Sequence, residues 1–362
     1  MIAKRLKSIK PSGVRRIFDM ASRMKDPIDL SLGEPDFDIP EEIKREGIRW
    51  IERGFNKYTL TQGIPELRQK VQEHLNKKGV NFEKVIITAG VTGGLLLCCL
   101  SLIDPGDEVL IPDPYFVMYE YQVLLMGGVP RYIDTYPNFC LLESKIREVL
   151  SPRTKLIIIN SPANPTGTVY SREELEMVAN IAREHKLIVI SDDIYENFVY
   201  DAPKAPCMGQ LYERTITLSG FSKTWAMTGW RLGYAAGPEE IIQQMITLQQ
   251  YSFTCAPSFA QKAALVALDY DMEEYINRYR EKRDYIYEAL KGKYNVEKPR
   301  GAFFIFPEAE DGDGEKLVER AIKKGVFVIP GGIFSQRQSH FRISFAASMD
   351  ILERGAKILR DL

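Results

Sequence analysis

Residues 219–234 read SGFSKTWAMTGWRLGY, placing a lysine, Lys223, and an arginine, Arg231, eight positions apart with no acidic residue between them. Neither cation has a local partner. Three further groups of reactive or ligand-holding residues follow short apolar runs. AGVTGG comes after KVIIT, and such a glycine-rich turn opening a helix can hold a phosphate with backbone N–H groups and the helix dipole. SPANPTG, with Asn164, comes after TKLIIIN, and Asp192, Asp193 and Tyr195 come at and after the end of KLIVIS. Taken singly each is ordinary: Gly90, Gly93 and Gly94 make a tight turn, Asn164 forms a turn, Asp192 caps a helix, and Lys223 and Arg231 are surface cations. Their joint occurrence at the ends of successive apolar runs is what carries information.

Those runs decide where the residues meet. KVIIT, DEVLIP, VPRYID, TKLIIIN, KLIVISDD, RTITLS and RLGYAAG read as strands, being continuous and apolar as a sheet buried on both faces requires. Helical patterns such as SREELEMVANIAREHK lie between several of them, so the chain predicts an α/β fold around a mostly parallel sheet flanked by helices. Ligands of such sheets bind outside the carboxyl ends of the strands. After Pro238 the pattern turns to long helices. A second region then reads strand, helix, strand, strand, helix through GAFFIFP, GEKLVERAIKKG, VFVIPG, HFRISFA and MDILERGAKILRDL. We expect a large domain over 41–280, with 1–40 and 281–362 forming a smaller α+β domain.

Composition narrows the function classes. Lys+Arg number 48 against 49 Asp+Glu, a formal charge of -1, so no basic excess marks a nucleic-acid partner and small molecules are the better expectation. Of the five cysteines only Cys98 and Cys99 are close, inside the apolar run LLLCCLSLI, which fits reduced thiols in a cytoplasmic protein. That run is far short of a membrane span, for which about 20 residues are needed. His74, His185 and His340 are scattered and there is no CxxC, so no metal site is expected. The first 25 residues carry eight Lys/Arg and one acid, Asp19, yet Val14, Ile17 and Phe18 fall at helical spacing; we read a structural helix rather than a transit peptide.

One competing enzyme class is a dinucleotide-binding dehydrogenase, since a strand, a glycine-rich turn, a helix and a strand ending at Asp113 imitate its nucleotide unit. GVTGG is not GxGxxG, however, and that reading leaves Lys223 and the asparagine loop without a role.

The segment GFSKTWAMTGWRLG resembles the cofactor-lysine signature of the class I, fold type I, pyridoxal-phosphate aminotransferases, the aspartate and aromatic aminotransferase group. SLGEPDF, YTLTQGIPELR, SPANPTG, DDIYE and FRISF resemble the family's other landmarks in the family's order, from Gly33 to Phe345. The resemblance implies an aminotransferase moving an amino group from an L-amino acid to a 2-oxo acid by a ping-pong mechanism. Lys223 would form an aldimine with pyridoxal 5′-phosphate and shuttle the proton, its amine pKa lowered by neighbouring Arg231. Arg231, the backbone of Val91 and Thr92 and the hydroxyl of Ser222 would hold the phosphate. Asp192 would pair with the pyridine nitrogen, Asn164 and Tyr195 would bond the ring's phenolic oxygen, and Tyr115 would stack on the ring. Arg342, with the backbone of Gly33 and with Asn164, would hold the substrate's α-carboxylate, a bidentate pairing. Tyr58 would reach the phosphate in a neighbouring subunit, which implies a homodimer.

The chain departs from the pattern at three places. Gly220 stands where a hydroxyl is frequent, and Gly93 and Gly94 where less flexible residues are usual. Thr92 occupies the place of a lysine that reads the side-chain carboxylate in some aspartate-specific members, which points to aromatic, neutral or broad substrates. A lyase or synthase of the same fold would share every cofactor residue. A DNA-binding regulator would need a further domain, and the fold-like pattern starts too early in the chain for us to expect one.

Overall fold

The seven apolar runs of the first region form a single sheet in the computed structural model, which describes residues 2–82, 84–202 and 204–362. From edge to edge the strands are Lys84–Thr88, Gly233–Gly237, Thr215–Gly220, Ile188–Asp192, Thr154–Asn160, Glu108–Asp113 and Val129–Asp134. Gly233–Gly237 runs antiparallel to both its neighbours, and the other pairings are parallel. The continuous apolar character has its cause in the two covered faces. Ile86, Ile158, Ile190 and Leu218 pack on one side with Leu95 and Cys98 of the helix Gly90–Leu102. Their in-between neighbours Ile157, Ile159 and Val189 pack on the other with Leu175 and Val178 of Arg172–His185. That helix begins at a reciprocal cap: Ser171 Oγ accepts from Glu174 N–H, and the Glu174 carboxylate accepts from Ser171 N–H at 2.7 Å.

The second region is built from much shorter strands. Phe341–Ser344 lies between Ile329–Pro330 and Phe304–Ile305 in an antiparallel sheet, while Ile28–Asp29 pairs in parallel with Val326–Phe327. VFVIPG is therefore two strands rather than one, because its halves are drawn to different partners, Ile28–Asp29 near the start of the chain and Phe341–Ser344 near its end. Helices Gly314–Lys323 and Met349–Arg360 begin at the side-chain caps Asp313 and Ser348.

The helix Gly13–Ala21 seats on this region through Ile17 and Ala21, which pack with Phe306, Phe327 and Phe334. Its start fits closely: a Cβ on Gly13 would stand 2.4 Å from Ile333 Cδ1. The expected domain boundary at residue 280 falls inside the 18-residue helix Glu273–Leu290. All five cysteines are free, and no helix among the described residues is long and apolar enough to cross a membrane.

Candidate active site

The register of the sheet brings the first polar pair together. Asn160 and Asp192 are paired at the carboxyl ends of adjacent parallel strands, and Asp192 is paired in turn with Leu218. Asn160 Nδ2 donates to the Asp192 carbonyl at 2.8 Å, and Asn160 Oδ1 accepts from Asn164 N–H at 2.9 Å, which pins the SPANPTG loop to the strand end. Asp192 Oδ1 accepts from Ile194 N–H, and Oδ2 accepts from the Tyr119 hydroxyl at 2.7 Å. Burial pushes the Asp192 carboxyl up to about 6, against the lowering pull of the Tyr119 hydrogen bond and the Lys223 charge.

Lys223 follows the strand Thr215–Gly220 and donates from Nζ to the Gly33 carbonyl at 2.7 Å. Burial is the largest reason its amine is lowered to about 8; Arg231 and Arg342 push the same way, whereas Glu34 and Asp192 oppose. An amine that loses its proton near neutrality is a competent nucleophile toward a carbonyl carbon.

Arg231 reaches the same space from a left-handed backbone, φ 52, that disfavours a side chain of its kind. Such strain at a polar residue accompanies function when the surroundings enforce it, and here they do. Gly90 (φ +71) leaves the room Arg231 occupies, since a Cβ there would lie 2.6 Å from Nη2. A Cβ on Gly233 would lie 2.7 Å from the backbone nitrogen of Val91. The two glycines thus bring a guanidinium and the amino end of the helix Gly90–Leu102 together.

Arg342, on the central strand of the small sheet, is 2% exposed, its guanidinium 4.4 Å and 4.5 Å from the ring centres of Phe304 and Phe334. Nη1 donates to Asn164 Oδ1 at 3.0 Å and Nη2 to the Ser31 carbonyl at 2.7 Å, while Nε is buried with no hydrogen-bond partner among the described residues. Burial pulls its pKa down to about 10, which leaves it charged at neutrality.

These groups line a single cavity of about 330 Å³ between the two regions. Of the residues to which the resemblance assigns a site role, Gly33, Val91, Thr92, Asn164, Asp192, Tyr195, Ser222, Lys223, Arg231 and Arg342 face it. Two do not. Tyr115 stacks on Tyr132 at 5.2 Å and bonds Gln336 and Glu120, so its ring is turned away; its neighbour Phe116 lines the cavity instead. Tyr58 is 84% exposed and outside the cavity. The dinucleotide reading loses its acidic residue, because Asp113 accepts from Gln336 N–H at 3.1 Å, from the second region of the chain, and does not line the cavity. Sequence reasoning missed Phe116, Tyr119 and Asn160. Asn160 was visible as the polar last residue of an apolar strand, whereas nothing in the sequence marks Tyr119 among the 18 tyrosines.

The donor set fits a phosphorylated, carbonyl-bearing pyridine. A helix amino end, a hydroxyl and a guanidinium converge at one end, an anionic carboxyl is held at the other, and an amine lies between. Comparison with known proteins agrees. Residues 25–358 match the family model "Aminotransferase class I and II". The chain is 40% identical to the probable aspartate aminotransferase of Methanocaldococcus jannaschii, with 100% of each chain covered. It is 38% identical to aromatic-amino-acid aminotransferase 2 of Thermococcus litoralis, covering 99% of this chain and 98% of that one. Its fold superposes on the Thermus thermophilus aspartate aminotransferase solved with maleate at a TM-score of 0.95, with 34% identity and full coverage of both chains. The chain belongs to the class I and II aminotransferases, pyridoxal-phosphate enzymes that move an amino group from an amino acid to a 2-oxo acid.

Proposed function

We propose that this enzyme takes aromatic, neutral or a broad range of amino acids, since Thr92 offers the cavity a hydroxyl and no charge, and that the cavity residues divide the work as follows. The observation that carries this reading is the convergence of the Lys223 amine, the Asp192 carboxyl and the Arg342 guanidinium on one cavity between the two regions. Lys223 would hold the cofactor through its amine and would serve as the base that takes the proton from the substrate's α-carbon. Its lowered pKa keeps part of the amine unprotonated at neutrality, as a base must be. Arg231, Ser222 and the backbone of Val91 and Thr92 would hold the phosphate. Asp192 would pair with the pyridine nitrogen, and Asn164 and Tyr195 would bond the phenolic oxygen. When bound, pyridoxal phosphate supplies the electron-withdrawing ring that stabilises negative charge at the α-carbon. Phe116, which lines the cavity where Tyr115 does not, would cover the ring face.

Arg342 orients the substrate. Two of its nitrogens already have protein acceptors, and its position between two aromatic rings fixes the plane of the guanidinium, so a carboxylate meets a preset fork. Donor and acceptor use this clamp in turn, as the family's ping-pong order requires.

The functional unit in this reading is a homodimer in the cytoplasm. Tyr58, Leu60 and Tyr251 are exposed at 84%, 54% and 86%, a group of large apolar side chains that a second copy would cover. Gln249 Nε2 bonds the Thr61 carbonyl within this group, and Phe253 lies 3.6 Å from where a Cβ of Gly93 would be, which puts the surface beside the phosphate end of the cavity. Tyr58 would then serve the partner's phosphate.

The test is the visible absorption spectrum of the purified protein before and after L-glutamate, with borohydride reduction and peptide mapping of a parallel sample. The band of the lysine-bound cofactor should convert to that of the amino form, and the reduced adduct should map to Lys223. A borohydride adduct on any other lysine would overturn the assignment of Lys223.

A further inference from the structure

Four cationic side chains among the described residues face the cavity, and three are committed. Lys223 donates to Gly33, Arg231 donates to the Thr228 carbonyl, and Arg342 is held by Asn164 and Ser31. The fourth is Arg15, on the helix Gly13–Ala21. Its ion-pair partner among the described residues is Asp19, one turn along the same helix at 3.7 Å, with side-chain exposures of 74% and 53%. An exposed pair of that length contributes little, so a better carboxylate can displace it.

The helix that carries Arg15 is well placed for a substrate-reading role. Ile17 and Ala21 anchor it, Gly13 lies against Ile333, and Ser12 Oγ caps it by accepting from Arg15 N–H at 3.3 Å. Phe334 belongs to the same anchoring cluster and also packs on the Arg342 guanidinium. One small-domain core therefore positions both the α-carboxylate clamp and the base of Arg15. Val14 and Phe18 of the same helix also line the cavity, as do Val117 and Met118, and the Arg15 guanidinium lies 5.2 Å from the Phe18 ring. Thr92 offers the cavity a hydroxyl and no charge.

An enzyme of this mechanism has to seat its donor and its acceptor in the same pocket. If one is neutral and the other dicarboxylic, a fixed buried cation would reject the first, by leaving a charge unpaired, while serving the second. A long, largely exposed arginine on the rim avoids the conflict: it meets a distal carboxylate and returns to solvent for an apolar side chain.

We propose that Arg15 recognises the distal carboxylate of four- and five-carbon dicarboxylic amino acids and 2-oxo acids, a specificity role that rests on the aminotransferase reading above. The acidic substrate then spans Arg342 and Arg15, and the aromatic substrate lies against Val14 and Phe18 in the same cavity.

The experiment compares holoenzyme variants. For Arg15→Gln the ratio of kcat/KM for L-glutamate over L-phenylalanine should fall roughly 10–100-fold, the range for a lost charge-assisted hydrogen bond. Arg15→Lys should recover part of that loss. At equilibrium, titration of the cofactor absorption with maleate and with 3-phenylpropionate should show a weaker Kd confined to the dicarboxylate. Arg16→Gln, a neighbouring exposed charge, controls for the general basicity of the segment and should not move the ratio. A ratio unchanged by Arg15→Gln, an equal loss for both substrates, an equal effect of Arg16→Gln, or a wild type that transaminates only neutral substrates would each overturn the role of Arg15 and leave the aminotransferase reading standing. A wild type that transfers no amino group from any amino acid would sink both.

Discussion

The two halves of the cavity are built in opposite ways. The cofactor half rests on the seven-stranded sheet: Asn160, Asp192, Ser222 and Lys223 lie at or just beyond the ends of adjacent central strands, and their mutual positions follow from backbone register. The substrate half is assembled from distant parts of the chain, with residues 12–33 from near its start and Arg342 from near its end, on sheets whose strands are two to four residues long. Long strands buried on both faces make a rigid platform, while short ones leave position to side-chain packing. Arg342 between Phe304 and Phe334, and Ile17 against Phe327 and Phe334, show that kind of positioning. The difference teaches where changes in specificity are least costly: the substrate half can be altered without touching the platform that holds the reactive groups.

Substitutions should separate the halves. Lys223→Ala removes the nucleophile and proton carrier together, and turnover should fall by about 10⁴-fold or more, since general acid–base action alone accounts for up to about 10⁴. Thermal unfolding should stay cooperative, because the surrounding sheet is unchanged; near-normal turnover would dissolve the distinction at its centre. Arg342→Lys replaces a planar fork by a point charge. We expect kcat/KM to drop roughly 10–100-fold for all amino acids alike, with retention of the cofactor on gel filtration unaffected. A loss confined to one side-chain class would transfer Arg342 from the common carboxylate to the distal one. A smaller effect follows from the Lys223 amine, whose pKa lies at about 8. Only its unprotonated form can capture the cofactor, so reconstitution of the apoenzyme should quicken by about tenfold from pH 7 to the plateau above pH 9. Stopped-flow absorbance would read this directly, and a flat profile would show that the amine is not limiting.

The same division explains what the sequence disclosed. Most of the seven strands were legible because short, largely apolar runs are what burial on both faces requires, and the residues that follow them had to share an edge; VPRYID departs from this, since it is an edge strand with only Ile133 buried. Arg342 was legible only through the resemblance of FRISF to the family, since the long-range pairing that buries it leaves no local trace. VFVIPG looked like one strand because its apolar pattern is unbroken; the split comes from Ile28–Asp29, about three hundred residues earlier in the chain. Tyr115 was singled out where Phe116 faces the cavity, a one-residue error that a turn between strand and helix readily produces: no strand or helix period fixes direction there. Tyr119 was invisible for a related reason, as it meets Asp192 from across the cavity, 73 residues away.

Tyr119 gives the finest test of the sheet-borne half. Its hydroxyl donates to Asp192 Oδ2, which favours the ionised carboxylate, while burial favours the neutral acid and has the larger effect, raising the pKa to about 6. The residue has to be anionic to hold a protonated ring nitrogen, so activity should fail on the acid side as Asp192 takes up its proton. Tyr119→Phe removes a lowering influence; the pKa must rise, and the acid limb of the kcat/KM profile should move upward. A hydrogen bond to a charged group contributes about 1.5–3 kcal/mol, and one pH unit is about 1.4 kcal/mol, so a shift of about one to two units is expected, and already for one unit a roughly threefold loss near pH 6.5. The deficit should shrink as the pH is raised, where Asp192 ionises without help. The cofactor should also dissociate faster from the variant at pH 6.5 than at pH 8.5, an observation independent of turnover. A deficit equal at every pH would mean that Tyr119 only fills space beneath the ring, and that the carboxylate is held in its charged form by Lys223 and the backbone N–H of Ile194 alone.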